Sequence, residues 1–378
     1  MDFDLTKEQQ QLGDSIQRFV AREYAFEKRK GILRSEEGMS REVWAHLAEM
    51  GLLALQVPEE HGGMGGAPIE TMLAMNGVGR GLLLEPYLAS AVVATTLLRE
   101  LGSPAQQGEL FPAMAAGERI VVLAHDEPGA RYDLTQVSTK ATRAGDGYTL
   151  SGQKSIVVHA PSADLLLVSA RTGSGVSLFL VPRDAKGVSL AAYRTLDGRR
   201  AADVTLSEVR AGREALVGAE GAALDVIVSV NDVAIAAACA EAVGALEALL
   251  QTTVEYSKSR KQFGVPIGTF QALQHRMVEM LIHVEQARSM SYLAAIRATD
   301  PDPAERRRAV SAAKVVIGQA CRKVAQEAVQ IHGGMGMTDE LHVGHYFKRL
   351  TAIELSLGDT EHHLESFARE TAARKEIA

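Results

Sequence analysis

"ALDVIVSVNDVAIAAACAEAVGALEALLQTTVEYSKSR", residues 223–260, decides the fold. It is rich in Ala, Val and Leu on several faces, the pattern of a long helix buried on most of its sides. Asn231, Asp232 and Glu241 interrupt it, short of the roughly 18 uninterrupted apolar residues of a membrane span, so no span is expected. The helical period continues beyond it in "FQALQHRMVEMLIHVEQARSMSYLAAI" (270–296) and "AVSAAKVVIGQACRKVAQEAVQIHGG" (309–334). Long helices with small residues on several faces predict a bundle that also packs against other subunits.

Upstream the period changes. Between 119 and 217 lie short runs, "VVLAHDE", "VSTKATRA", "YTLSGQKSIVVH", "DLLLVSA", "VSLFLVP" and "DVTLSEV". They are separated by "GDG", "TGSG", "RDAKG" and "LDGRR", which are turn signals, and this spacing predicts an antiparallel β-barrel or sandwich. Further upstream, 1–118 reads as helical. Thr6 and Gln9 form a capping box ahead of Leu12, Ile16, Phe19 and Val20 on one face, and Ser40 precedes Val43, Trp44, Leu47 and Leu52 at helical spacing. The Gly-rich "PEEHGGMGGAP" lacks the Lys-Ser/Thr of a phosphate loop and reads as a structural loop. The fold class is therefore α+β, mainly α, in three domains: 1–118 helical, 119–217 β, and 218–378 a C-terminal four-helix bundle.

The chain of 378 residues has a formal charge of −7 and no long basic block, which argues against nucleic acid as a partner. "MDFDLTKEQQ" lacks the order of a signal or transit peptide, so a cytoplasmic protein is expected. Cys239 and Cys321 lie far apart in Ala/Val-rich helix and read as core thiols. His342 with His345, and His362 with His363, have no carboxylate or thiol partner at ligand spacing, so no metal is expected. No GxSxG elbow, activated Cys or GxGxxG within a βαβ unit is present.

What remains is "SRKQFGVPIGTFQ" (259–271) and "QIHGGMGMTDE" (330–340), polar and Gly-rich stretches at the ends of long helices. Glycines let backbone N–H groups approach a phosphate, Arg offers a charged fork to a diphosphate, and Phe offers a face to an adenine ring. Either stretch alone reads as an ordinary helix-ending turn.

Together with "VPEEHGGMGG", "DEPGARYD", "YTLSGQK", "SLFLVP" and the closing "LSLGDTEHHL", in this order, they resemble the acyl-CoA dehydrogenase family over essentially the whole chain. "MDFDLTKEQQ" and "GRGLLLEPYLAS" are most similar to the smaller subunit of heteromeric pimeloyl-CoA-type members. The resemblance implies FAD at a subunit interface, an acyl-CoA substrate, and electron-transferring flavoprotein as acceptor. Each protomer of the family contributes residues to the diphosphate and adenine of its neighbour's FAD. On the matching motifs those are Arg260, Gln262, Phe263 and Gln271, then Gln330, Ile331, Gly333 and Gly334.

The motifs that hold a protomer's own flavin depart from the family pattern. Arg131 and Tyr132 replace the Gly-Ser of "TEPGAGSD"; Ile156 replaces the Trp of "KxWIT" and Val158 its Thr. The family's carboxylate base, which takes the α-proton while the β-hydrogen leaves as hydride, falls on Leu357 by the "YEGT" alignment. In members that carry the base on the long helix it falls on Ala234, with Ile235 where Arg is common. The expected catalytic set is thus empty, with Asp359 or Glu361 as substitutes. Three readings follow: a partner-dependent subunit completing the FAD site of a paralogous chain, a self-sufficient homo-oligomeric dehydrogenase with a relocated base, and a flavin-free structural subunit.

Overall fold

The structure, a computed structural model, describes residues 5–377. It is mainly helical, with helices first, a β-sheet in the middle and helices again to the end, in agreement with the sequence reading. The helices ahead of the sheet are α1 (Lys7–Glu23), α2 (Phe26–Arg34), α3 (Arg41–Glu49), α4 (Pro68–Gly81), α5 (Thr95–Leu101) and α6 (Pro104–Ala115). The Thr6/Gln9 capping box is present in full, each side chain bonded to the other residue's backbone N–H. Ser40 caps α3 through the Val43 amide. "YLASAVVA" (Tyr87–Ala94) winds as a π-helix, a rare form that the helical period did not reveal.

Eight strands follow: β1 (Val121–Ala124), β2 (Lys140–Ala144), β3 (Gly147–Val158), β4 (Leu165–Thr172), β5 (Gly175–Pro182), β6 (Val188–Arg194), β7 (Arg200–Ala211) and β8 (Leu216–Val217). They pair in the order β6-β7-β3-β2-β4-β5-β8, with β1 beside β4. Pairing is mostly antiparallel, but β1 runs parallel to β4, and β2 meets β4 at one parallel bridge. Of the two expected forms, barrel or sandwich, closure into a barrel is not seen: among the described residues β6 and β8 end the hydrogen-bonded path. Register slips between Lys154 and Val157 where β3 meets β7, a bulge that turns Ile156 outward.

The last part holds α7 (Leu224–Ser259), the hairpin β9 (Lys261–Gln262) and β10 (Val265–Pro266), and α8 (Gln271–Arg297), α9 (Pro303–His332), α10 (His342–Leu355) and α11 (Thr360–Ile377). Four of these helices are long and α10 is shorter. By length and mean apolarity α7 could cross a membrane, but it is mostly buried within the protein and reads as a core helix.

The chain divides into two compact units, each assembled from separated segments. Among the described residues the first contains 5–29, 68–83 and 235–377; the second contains 30–67 and 84–234. In the first unit α4 and α7 approach backbone to backbone. A Cβ on Gly79 would lie 1.8 Å from the Glu241 carbonyl oxygen, and one on Gly244 would lie 1.9 Å from that of Asn76. No side chain fits either position, which is why this crossing needs glycine from both helices. In the second unit the sheet residues Val121, Leu167, Leu178 and Val217 share a core with Leu97, Leu98 and Phe111 from α5 and α6, and with Ile227 and Val230 from the start of α7.

Candidate functional site

α7 ends at Ser259, and the chain folds back on its last turn. The Arg260 amide donates to the Tyr256 carbonyl at 2.9 Å, and the Ile267 amide donates to the Arg260 carbonyl at 2.8 Å, closing the β9–β10 hairpin onto the helix end. Phe263 sits at the hairpin tip at φ 53° and is 93% exposed. Its ring meets that of Phe270 edge-on, 6.2 Å between centroids. Gln262 and Gln271, the first residue of α8, are exposed beside it. The Arg260 side chain is exposed and forms no hydrogen bond or ion pair with any described residue.

The second motif ends α9. Gln330, Gly333 and Gly334 are exposed, while Ile331 and His332 are buried. A Cβ at Gly333 or Gly334 would meet nothing within 4 Å, so the backbone here is open to a ligand. The two motifs are brought together by a pair the sequence reading missed. Tyr256 stacks on His332 with ring centroids 4.2 Å apart at 25°, and its hydroxyl donates to the His332 carbonyl at 3.4 Å. The signal was Tyr256 itself, one helical turn before Arg260 on the same face. Exposed guanidinium, amides, an aromatic face and accessible glycine backbone form a donor set that fits the diphosphate and adenine of a dinucleotide.

The turn carrying Leu357 is held from beneath. Lys314, 1% exposed on α9, donates to the carbonyls of Glu354 at 2.8 Å and Gly358 at 2.7 Å. His363 contacts the Leu357 carbonyl through Nε2 at 2.9 Å and Ser311 through Nδ1 at 3.1 Å. Glu354 is occupied by Thr360 at 2.9 Å and Arg322 at 3.0 Å. Leu357 itself lies at φ 58°, and its side chain supplies no acid or base. Asp359 accepts the His362 amide at 2.9 Å and so caps α11. Glu361 is exposed on the first turn of that helix. Ala234 and Ile235 are buried in α7.

In the second unit, loop 125–139 is tied to β3 by a buried ion pair that the sequence reading also missed. Lys154, fully buried, donates to Glu127 at 2.7 Å, to Ser169 at 2.9 Å and to the His125 carbonyl at 3.1 Å. Glu127 further accepts the amides of Ser138 at 2.6 Å and Thr139 at 2.9 Å. Burial works to raise the Glu127 pKa, but the bonds from Lys154 and Thr139 outweigh it and bring it to about 2. Arg131 is exposed at φ 51°. Ile156 stands 60% exposed at φ 53°, its amide on Asp203 at 3.1 Å, and Val158 is half-buried. Arg131, Ile156, Phe263 and Leu357 are four of the seven non-glycine residues described at positive φ. That conformation is rare for such side chains and concentrates at functional positions.

Among the described residues no three His, Cys, Asp or Glu side chains converge on a point. His345 is buried against Arg29, with Nδ1 3.0 Å from its guanidinium, and His342 meets Thr252 at 2.9 Å. Cys239 and Cys321 are buried, and burial raises both thiols to about 12, so they are unreactive at neutral pH.

Three family models match the chain: the acyl-CoA dehydrogenase N-terminal domain over residues 6–118, the middle domain over 123–210 and the C-terminal domain over 225–372. FadE27, an acyl-CoA dehydrogenase of Mycobacterium tuberculosis, is 31% identical over 98% of this chain and 99% of its own length. The solved ChsE4-ChsE5 complex from the same organism is similar at TM-score 0.89 and 31% identity, covering 98% of this chain and 99% of that one. A variant of the Tcur3481-Tcur3483 steroid ACAD is similar at TM-score 0.88 and 29% identity, over 98% and 99%. The protein therefore belongs to the acyl-CoA dehydrogenase family, FAD-dependent oxidoreductases that act on acyl-CoA thioesters.

Proposed function

We propose that this chain is a partner-dependent subunit of a heteromeric acyl-CoA dehydrogenase, lacking a catalytic Glu and completing the FAD site of a paralogous subunit that has one. The observation that carries the reading is the state of Asp359. With Leu357 and Ala234 at the two family base positions, Asp359 is the nearest carboxylate in sequence to the first of them, and it is bonded to the N-terminus of its own helix. A general base must be within hydrogen-bond reach of the proton it takes, and a carboxylate fixed on an amide three residues ahead is aimed along its own backbone. Glu361 projects from the following turn into solvent.

The contributed face supports the same reading. Arg260, Gln262, Phe263, Gln271, Gln330, Gly333 and Gly334 are all exposed, as groups awaiting a ligand held by another chain would be, while Ile331 is buried. Arg260 would give its N–H fork to the diphosphate, Phe263 its face to adenine, and Gly333 and Gly334 their open backbone. A bound flavin would supply the hydride acceptor for the β-hydrogen, and these residues would hold its diphosphate and adenine. Two of the similar structures are named for two components each, which supports a heteromer. One of them is called a steroid ACAD, in keeping with a bulky acyl group. Electron-transferring flavoprotein as acceptor, a cytoplasmic location, and the division at 118/119 and 217/218 belong to this proposal too.

The test is purification of the chain alone and together with its paralogous subunit. Alone, it is expected to be colourless and inactive; together, the pair is expected to be yellow and active. Arg260→Ala should strip most FAD from the pair, since a charged fork on the diphosphate is lost; unchanged FAD content would favour the flavin-free structural subunit. A fully active yellow protein from this chain alone, with one FAD per chain, would sink the proposal.

A further inference from the structure

The Arg260–Phe263 hairpin and the Gly333–Gly334 turn come from helices α7 and α9, and a dinucleotide bridging them requires a fixed spacing. The hairpin is anchored on residues 256–260: Arg260 bonds back to Tyr256, and Gly268 returns so closely that a Cβ there would lie 2.9 Å from the Ser257 hydroxyl. On the other side His332 is the last residue of α9. Its Nδ1 lies 2.8 Å from the Ala328 carbonyl, where it donates and fixes the ring against its own helix. Its carbonyl, the one that receives the Tyr256 hydroxyl, belongs to the peptide that continues into Gly333 at φ 59°. One aromatic pair thus holds both the distance between the helix ends and the orientation of the peptide ahead of the open glycines.

We infer that Tyr256 and His332 are positioning residues, whose stack sets the register between the Arg260–Phe263 hairpin and the Gly333–Gly334 turn, and thereby the affinity for the diphosphate–adenosine half of a dinucleotide. The inference rests on the reading above. Neither residue needs to touch the ligand: His332 is buried at 4% exposure and Tyr256 is half-buried. Loss of the ring pair lets two preformed half-sites move independently, and the cost falls on ligand affinity because the ordering must then accompany binding.

The experiment uses the complex with the paralogous subunit and titrates FAD into the stripped complex, with subunit association and melting temperature followed in parallel. Tyr256→Leu is expected to raise the FAD Kd roughly tenfold or more, equivalent to about 1.4 kcal/mol, with subunit association unchanged. Tyr256→Phe keeps the stack and loses the hydroxyl bond, and is expected to rescue most of that loss. If Arg260→Ala weakens FAD binding while Tyr256→Leu does not, the inference is overturned and the reading of the site stands. If Arg260→Ala has no effect either, both fail. Should Tyr256→Leu not fold, Tyr256→Met decides in its place: it removes the aromatic stack while filling much of the same space, and an FAD Kd unchanged from the parent overturns the inference.

Discussion

The carboxylate of Asp359 accepts the backbone N–H of His362 at 2.9 Å, so the acid nearest to Leu357 in sequence is the N-cap of α11. The two possible roles of this residue lead to opposite outcomes. As a cap, Asp359→Ala should cost about 1 kcal/mol of stability, and Asp359→Asn, which caps nearly as well, should cost a few tenths at most. Turnover of the complex with the paralogous subunit should stay within twofold of the parent for both variants. Urea unfolding and steady-state turnover measure the two effects separately. Turnover abolished by Asp359→Asn with stability intact would mean that the carboxylate takes a proton, and would restore the self-sufficient reading.

Ile156 is a β-branched residue held at φ 53° and 60% exposed, on the bulge where β3 slips against β7. A left-handed conformation costs such a residue on the order of 1–2 kcal/mol, and Asn tolerates it far better. Little burial is lost on removing an exposed side chain. Ile156→Asn should therefore stabilise the chain by about 1 kcal/mol, seen as a rise of roughly 2 °C in the melting temperature. FAD content of the complex should not change, because the proposal assigns the flavin to the other subunit. A lower melting temperature would show that Ile156 is held by apolar contact in the assembly.

The succession of helical, β and helical zones was legible because it depends on local periodicity. The caps at Thr6 and Ser40 were legible for the same reason, since their partners lie three residues away. Asp359 obeys that rule also, since the amide it accepts lies three residues ahead. Long-range relationships were out of reach. Gly79 and Gly244 are meaningful only once α4 and α7 cross. Lys154 and Lys314 are of a type almost never fully buried; what buries them is Glu127 in one case and the carbonyls of Glu354 and Gly358 in the other, none of which sequence spacing brings together. The bulge that exposes Ile156 is likewise a property of strand pairing, and so is the choice between barrel and sandwich, since among the described residues β6 and β8 end the hydrogen-bonded path.

His363 gives the turn at Leu357 a pH dependence whose sign follows from its bonds. In the neutral ring Nε2–H donates to the Leu357 carbonyl and Nδ1 accepts from the Ser311 hydroxyl, so both nitrogens are used without a positive charge. Burial lowers the pKa to about 4; the bond to Leu357 opposes this, and the nearby Lys314, His362 and Arg307 charges reinforce it. The unfolded chain, with an ordinary histidine near 6.5, takes up its proton first as pH falls. Between about 6.5 and 4 the unfolded state binds more protons, and stability declines with falling pH; above 6.5 the contribution is flat. His125, likewise lowered to about 4 by burial and by Lys154, adds to the decline in the same window. Gln at 363 has a donor and an acceptor but does not titrate. His363→Gln should therefore lose less stability than the parent between pH 7 and pH 5, by about 2 kcal/mol, measured as the difference in urea-unfolding free energy at the two pH values. Parallel declines in the two proteins would mean that His363 is already exposed to solvent protons in the folded state, and that the turn beneath Leu357 is not held shut.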